Sequence, residues 1–436
     1  MKKIGLAVLL VSLAMALSAC GGGGGAGTGG TGGTGGTGGT GTAAPAAPTG
    51  VNAVAVSTSL VSVTWTPVAG ATGYNVYTSS TPTVDLVPGN RLNGVLITSA
   101  TYSDTSVLAN STYNYRVTAV GAGGESVGSN LASAATGSWN VQQAPGMNVI
   151  LGLKSAAWSG TEFVAVGDAG SVYTSPTGST WTSTSTGGLY SMYRVRWLNG
   201  QYVATAEYTT IYTSPNGTSW TTQLTSSDNV PYYGIAWSGS TYLVTGLSNT
   251  NDQGAQATSS NGTSWLAGFA TPTTGPLYDA VWSNPSGTTA KFVAVGPGAV
   301  GPDFWYGTVY SSADGSTWAS QKIANYKEIL RGIAWSGSLY VAVGDYGAIY
   351  TSPDGGTWTS QTSGTSQNLR AVTWAGRQFI ALGASTSAGV NSVILTSTDG
   401  VTWVNHDSGT ETPLNEIVWS GSNYVIVGDQ ATILNN

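Results

Sequence analysis

Residues 331–359 read RGIAWSGSLYVAVGDYGAIYTSPDGGTWT, and this stretch decides the fold. Residues 332–335 are a short apolar run, 336–338 a Ser-Gly-Ser turn, and 339–343 a run mixing β-branched, aromatic and small residues. Gly344-Asp345-Tyr346-Gly347 reads as a tight turn in which the glycines supply positive φ. Residues 348–351 form a third run, Ser352-Pro353-Asp354-Gly355 turns the chain again, and Thr357-Trp358-Thr359 opens a fourth. Four short antiparallel strands make one small sheet that cannot bury its faces alone, so it requires neighbours.

The sequence supplies them. The tryptophan closing the first strand recurs as Trp158, Trp197, Trp237, Trp282, Trp335, Trp374 and Trp419, at intervals of 39, 40, 45, 53, 39 and 45 residues. The fourth-strand tryptophan recurs as Trp181, Trp220, Trp265, Trp318, Trp358 and Trp403. A period near 40 with four strands per unit is the signature of a β-propeller. The last unit, ending in residues 429–436, is one strand short, and Gly137-Ser138-Trp139-Asn140 reads as a fourth strand without a sheet. The expectation is an all-β chain whose residues 137–436 form a seven-bladed propeller, closed by this N-terminal strand pairing with the last blade, which removes an open sheet edge.

The chain begins with Lys2 and Lys3, an apolar run over 4–17 and small residues before Cys20, which is the anatomy of a secretory signal peptide over 1–19. Leu17-Ser18-Ala19-Cys20 resembles the bacterial lipoprotein processing box. The resemblance implies acylation of Cys20, a membrane partner through the acyl chains, and a bacterial envelope location. Gly21 after the cysteine resembles the outer-membrane class, facing the periplasm or the cell surface. Cys20 is the single cysteine, so a disulfide framework is excluded. From Cys20 to residue 48 the chain is Gly/Thr-rich and then Ala/Pro-rich, a composition that forms no core and serves as a flexible tether.

Residues 49–136 carry strand-like runs at 51–56, 60–65, 73–78, 99–104, 112–120 and 125–132, the pattern of a β-sandwich. Trp65, Tyr74-Asn75-Val76-Tyr77 and the run from Leu108 through Tyr113 to Val120 resemble a fibronectin type III domain with its tyrosine corner. That likeness implies a spacer or adhesion module.

In the propeller region the turn before each fourth strand reads SPTGSTW, SPNGTSW, SSNGTSW, SADGSTW, SPDGGTW and STDGVTW. These turns resemble the Asp-box, or bacterial neuraminidase repeat. Asp314, Asp354, Asp399, Asn216, Asn261 and Thr177 stand at its key position, where each can accept bonds from the turn's own amides. The resemblance implies turn locks on the face opposite a sialidase active site. VGDYGAIYTS joined to the box also resembles photosystem II assembly-factor propellers and some xyloglucanases.

A propeller ligand is expected on the face where inner strands begin. Four residues before each inner tryptophan stand Lys154, Tyr193, Tyr233, Tyr278, Arg331, Arg370 and Asn415. One residue further along are Arg194, Asp279 and Glu416, and the turns after second strands contribute Asp168, Glu207, Asp345 and Asp429. In a chain with 7% charged residues this clustering marks a candidate face. Insertions at 247–257, 297–306 and 384–391 fall on the same side, the second carrying Asp303, Phe304, Trp305 and Tyr306. Aromatic rings beside carboxylates suit stacking on sugars or on a protein partner, and equally suit filling a loop core.

Catalysis is the lesser reading. Arg194, Arg331 and Arg370 on three blades suggest a sialidase's arginines, but the Arg-Ile-Pro opening of such domains is absent. His406 is the one histidine, which excludes a histidine-based triad and a zinc cluster. A net charge of −6 argues against nucleic acid, and no cofactor or metal motif stands out. The expectation is a monomeric, acylated, surface-tethered binding or adhesion protein whose propeller face takes a glycan or an envelope protein. A glycoside hydrolase, or an assembly factor for an envelope complex, are the alternatives.

Overall fold

Each inner tryptophan pairs across its hairpin with an aromatic residue that opens the second strand, and this pair is the structural unit of the propeller. In the computed structural model, which describes residues 42–184, 190–225, 230–248, 253–270, 275–285, 289–299, 305–385 and 387–436, Trp158 faces Phe163, Trp237 faces Tyr242 and Trp335 faces Tyr340 in register. Residues 1–41, with the signal peptide, Cys20 and most of the tether, lie outside the described residues, as do Asp303 and Phe304. Phe163, Tyr202, Tyr242, Phe292, Tyr340, Phe379 and Tyr424 are all fully buried. Each contributes on the order of 2–3 kcal/mol by leaving water.

Seven four-stranded antiparallel sheets follow. Blades 1 to 7 have the inner strands Leu153–Trp158, Met192–Leu198, Tyr232–Trp237, Asp279–Ser283, Leu330–Trp335, Asn368–Trp374 and Leu414–Trp419. The cores lie between sheets: Val164, Val166 and Val172 of blade 1 pack on Met192, Val195 and Tyr202 of blade 2, and the pattern repeats around the ring. The chain is thus an all-β protein, a fibronectin type III sandwich followed by a closed seven-bladed propeller. The closing strand is Asn140–Gln143, pairing with Thr432–Asn435. It begins where the sequence reading ended, because Trp139 is not a ladder residue: its side chain is buried among Ile380, Leu414, Tyr424 and Leu434.

The sandwich has a three-stranded sheet (Thr49–Ser57, Leu60–Thr66, Thr101–Asp104) facing a second sheet built on Ala71–Ser79 and Thr112–Gly121. Trp65 meets Tyr74 edge-on at 5.2 Å in the core between them. The Tyr113 hydroxyl accepts the Leu108 amide at 2.9 Å, so the expected corner is formed. The last expected strand, 125–132, divides into Gly124–Glu125 and Ala132–Ala135. Between them Ser126 and Ser129 hydroxyls accept the Ala119 and Val117 amides, taking the place of carbonyls in the ladder. Pro48, the last residue of the expected tether, is buried in the described fold.

Residues Ala43–Asn436 form one compact unit, and sandwich and propeller share a joint within it. Leu108 and Ala109 are buried in the core of blades 6 and 7. Ser111 Oγ lies 2.8 Å from His406 Nδ1, and His406 Nε2 lies 2.7 Å from Thr396 Oγ1. Gln378 donates to the Ser106 carbonyl at 3.0 Å.

The six fourth-strand turns are locked as their sequences require. Asp314 accepts the Ser316 and Thr317 amides at 2.8 and 2.9 Å, Asn261 accepts its two at 2.9 Å, and Thr177 accepts one at 3.3 Å.

Candidate functional site

Backbone bonding sets the acids of the upper face beside the bases. In blades 1, 5 and 7 the amides of Asp168, Asp345 and Asp429 donate to the carbonyls of Gly152, Ile329 and Pro413, just before each inner strand. Such approach demands glycine at the preceding position: a Cβ on Gly344 would stand 2.3 Å from the Ile329 oxygen. Gly344 itself is extended at φ −165°, and the turn's left-handed residues are Tyr346 (φ 59°) and Gly347 (φ 73°). The expected positive φ is therefore found at Gly347 and not at Gly344, its place taken by Tyr346. Ala169, Tyr208 and Gln430 take the same left-handed position in blades 1, 2 and 7.

The result is an axial vestibule of about 410 Å³ lined by Lys154, Tyr193, Arg194, Tyr233, Tyr278, Arg331, Asp345, Asn368, Arg370 and Asn415. One side is an arc of phenols, Tyr193 to Tyr233 at 5.2 Å and Tyr233 to Tyr278 at 5.7 Å. Burial pushes the Tyr233 hydroxyl up to about 12, so this phenol stays protonated. The other side is a row of ion pairs. Arg331 grips Asp345 through Nε and Nη2 at 3.1 and 2.8 Å and stacks over Tyr278 at 4.8 Å. Arg370 donates to Asn415 at 2.7 Å and to Asp429 at 3.1 Å, and Lys154 bridges Asp168 and Asp429 at 3.2 Å each. Burial raises the Asp429 carboxyl, but Asn415, Lys154 and Arg370 together hold it below the usual carboxylate range.

Sequence-assigned residues divide between levels. Asp168 and Asp429 border a separate depression with Lys154, Val149 and Ile150. Glu207 sits beside Tyr193, whose phenol burial and then the Glu207 charge raise. Trp305 opens the strand Trp305–Ser312 against Gly275, apart from the residues lining the vestibule.

Asp279 and Glu416 are in the waist of the channel, where Arg194 is clamped between them at 3.1 and 2.6 Å. One step along a strand crosses the pleat, so this register enters the channel where its neighbour opens onto the face. Ser155, Gly234, Gly332 and Ala371 occupy the same position in the other blades and leave room for these long side chains. Burial raises the Asp279 carboxyl, while at Glu416 Arg196 and Arg194 outweigh burial and keep it ionised.

Arg196, which sequence reasoning passed over, donates to Glu416 at 2.8 Å from below. Its signal was present: the other blades carry Ala157, Ala236, Val281, Ala334, Thr373 and Val418 at that position, and only blade 2 has a charge. Among the described residues no group of three or more His, Cys, Asp or Glu is arranged to hold a metal ion.

Fold and site together define a sandwich-and-propeller protein with a charged axial vestibule. No family model matches the chain. Among curated proteins it is similar to a poly(3-hydroxybutyrate) depolymerase of Delftia acidovorans, 33% identical over 76 residues, which are 17% of this chain and 14% of that protein. The chain therefore matches only a small part of that relative's length. Among solved structures, YCF48 bound to D1 peptide is similar with a TM-score of 0.52 at 17% identity, over 68% of this chain and 96% of that one, a likeness of fold. A Fn3-like protein from Clostridium thermocellum is 31% identical over 22% of this chain and 95% of its own, with a TM-score of 0.18.

Proposed function

We propose that this chain is an envelope-anchored binding protein, held by an acylated Cys20 in the outer membrane, whose upper vestibule takes a carboxylate-bearing segment of a protein partner. The observation that carries this reading is the division of one axial vestibule into a tyrosine arc and an ion-paired half in which Lys154, Arg331 and Arg370 remain partly exposed and keep N–H groups turned to solvent. A planar anion can accept hydrogen bonds from the guanidinium edge while the chain behind it packs on phenol faces. Around the mouth, Ile150 and Tyr346 are 81% and 61% exposed, a contact area suited to a macromolecule. YCF48 was solved with a D1 peptide, which makes a peptide the first ligand to test. The Asp-box-like turns then serve as locks on the far face, and the protein acts as a monomer.

Hydrolysis finds less support. A sialidase-like mechanism asks three arginines to converge on one carboxylate, whereas Arg194 is buried in the waist between Asp279 and Glu416 and does not join Arg331 and Arg370 at the face. Asp279 and Glu416 are neutralised in the waist and offer no open carboxylate pair.

Calorimetric titration with an acidic hexapeptide and its C-terminally amidated twin tests the proposal. The free acid is expected to bind more tightly, to weaken with added salt, and to lose at least tenfold in Arg331→Ala and Arg370→Ala. Binding of polygalacturonate in place of both peptides reassigns the vestibule to an acidic glycan. Turnover of a fluorogenic sialoside that Arg331→Ala abolishes reassigns it to a hydrolase, and silence toward every probe refutes the reading.

A further inference from the structure

The inner tryptophans serve more than the repeat. One from each blade, from Trp158 to Trp419, they ring a second cavity of about 480 Å³ at the lower mouth of the channel, on the opposite side of the waist from the tyrosine arc. All of them are half-buried. In six blades one flank of the indole packs on the second-strand aromatic at 4.1 to 4.6 Å. The rings are therefore held in place before any ligand arrives, and their remaining surface borders the cavity. At the floor stand Arg196, Asp279 and Glu416.

The chemistry of this cavity narrows its occupant. Its charges balance, two arginines against two carboxylates in one hydrogen-bonded cluster, so it offers no net attraction to an ion of either sign. A purely apolar occupant would cover Arg196, whose side chain is 30% exposed, without giving it an acceptor. What remains is a neutral molecule with apolar faces and hydroxylated edges. A pyranose ring is such a molecule, its C–H face lying on indole and its hydroxyls accepting from the exposed edge of the Arg196 guanidinium. The volume falls within the roughly 300–1,000 Å³ usual for ligand clefts. The ion cluster closes the floor, so a chain can enter only by its end.

We propose that the lower vestibule binds the terminal sugars of an uncharged polysaccharide, gripped by the tryptophan ring and oriented by Arg196. The site is independent of the upper one.

The test is isothermal titration of the full-length protein with cellopentaose, maltopentaose and chitopentaose. At least one should bind, with a blue shift in tryptophan emission. Trp237→Ala and Arg196→Met should each weaken binding at least tenfold. Trp237→Phe, which keeps a ring on Tyr242, should retain most of it, separating loss of a sugar contact from loss of the fold. Leu266→Ser, on an exposed outer strand of blade 3, should bind as the unaltered chain does. No binding of any pentasaccharide at millimolar concentration overturns the proposal, as does binding that both Trp237→Ala and Arg196→Met leave intact. Uptake of anilinonaphthalene sulfonate alone, lost in Trp237→Ala, would overturn it in favour of an apolar occupant.

Discussion

His406 sits between Ser111 and Thr396 with both ring nitrogens occupied and 6% of its surface exposed. Burial lowers its pKa from 6.5 to about 4. The unfolded chain therefore binds a proton that the folded chain refuses, so stability is lost as pH falls from about 6.5 and the loss is complete below about 4. The full effect is roughly 3 kcal/mol. Urea unfolding of the unaltered chain and of His406→Gln at pH 7 and pH 4.5 should show a larger acid penalty for the former; equal penalties would remove His406 from the account. Glu416 poses the opposite problem, a buried anion whose removal leaves Arg194 with Asp279 alone and takes from Arg196 its carboxylate partner. Glu416→Gln is expected to cost about 3–5 kcal/mol in urea unfolding, because a buried charge without its partner is far worse than no pair.

At the scale of elements, the turns after second strands hold non-glycine residues where glycine would be easier. Tyr346 at φ 59° is 61% exposed, so packing does not demand its side chain. A left-handed non-glycine residue costs roughly 1–2 kcal/mol. Tyr346→Gly should therefore raise the melting temperature by a few degrees, and, if the upper face docks a peptide, weaken that binding. A lower melting temperature would show that Tyr346 contributes packing of its own. The fourth-strand turns show the converse, with Asp, Asn and Thr serving one geometry by the same amide bonds. Backbone amides hold the Asp314 carboxyl well below the usual carboxylate range, so these locks persist into acid.

Across the whole molecule, the closing strand and the sandwich meet at one place. Trp139 is buried with Leu108 and Ala109 from the sandwich and with Ile380, Leu414 and Leu434 from blades 6 and 7. Trp139→Ala removes that wedge and is expected to cost about 3–5 kcal/mol. Limited proteolysis should then cut first near Thr432–Asn435, whose outer neighbour is the closing strand; an unchanged cleavage pattern would show that closure does not depend on the wedge.

The tandem sheets, the number of blades and the ring closure were legible because they rest on short-range signals: a tryptophan, an aromatic partner and a turn, repeated. The upper vestibule was legible in part, since a repeat carries each register to a fixed height. Depth within the channel was not legible. Arg194 and Glu416 meet across 222 residues at 2.6 Å, and Ser111 and His406 across 295 at 2.8 Å. Sequence by itself determined the tandem hairpins of the propeller and how many blades there are, because hairpins are settled between residues a few positions apart. Only the tertiary structure decided which side chains open to solvent, which cancel one another in the waist, and that seven inner-strand tryptophans enclose a cavity, because those outcomes depend on the space left when distant strands converge on one axis.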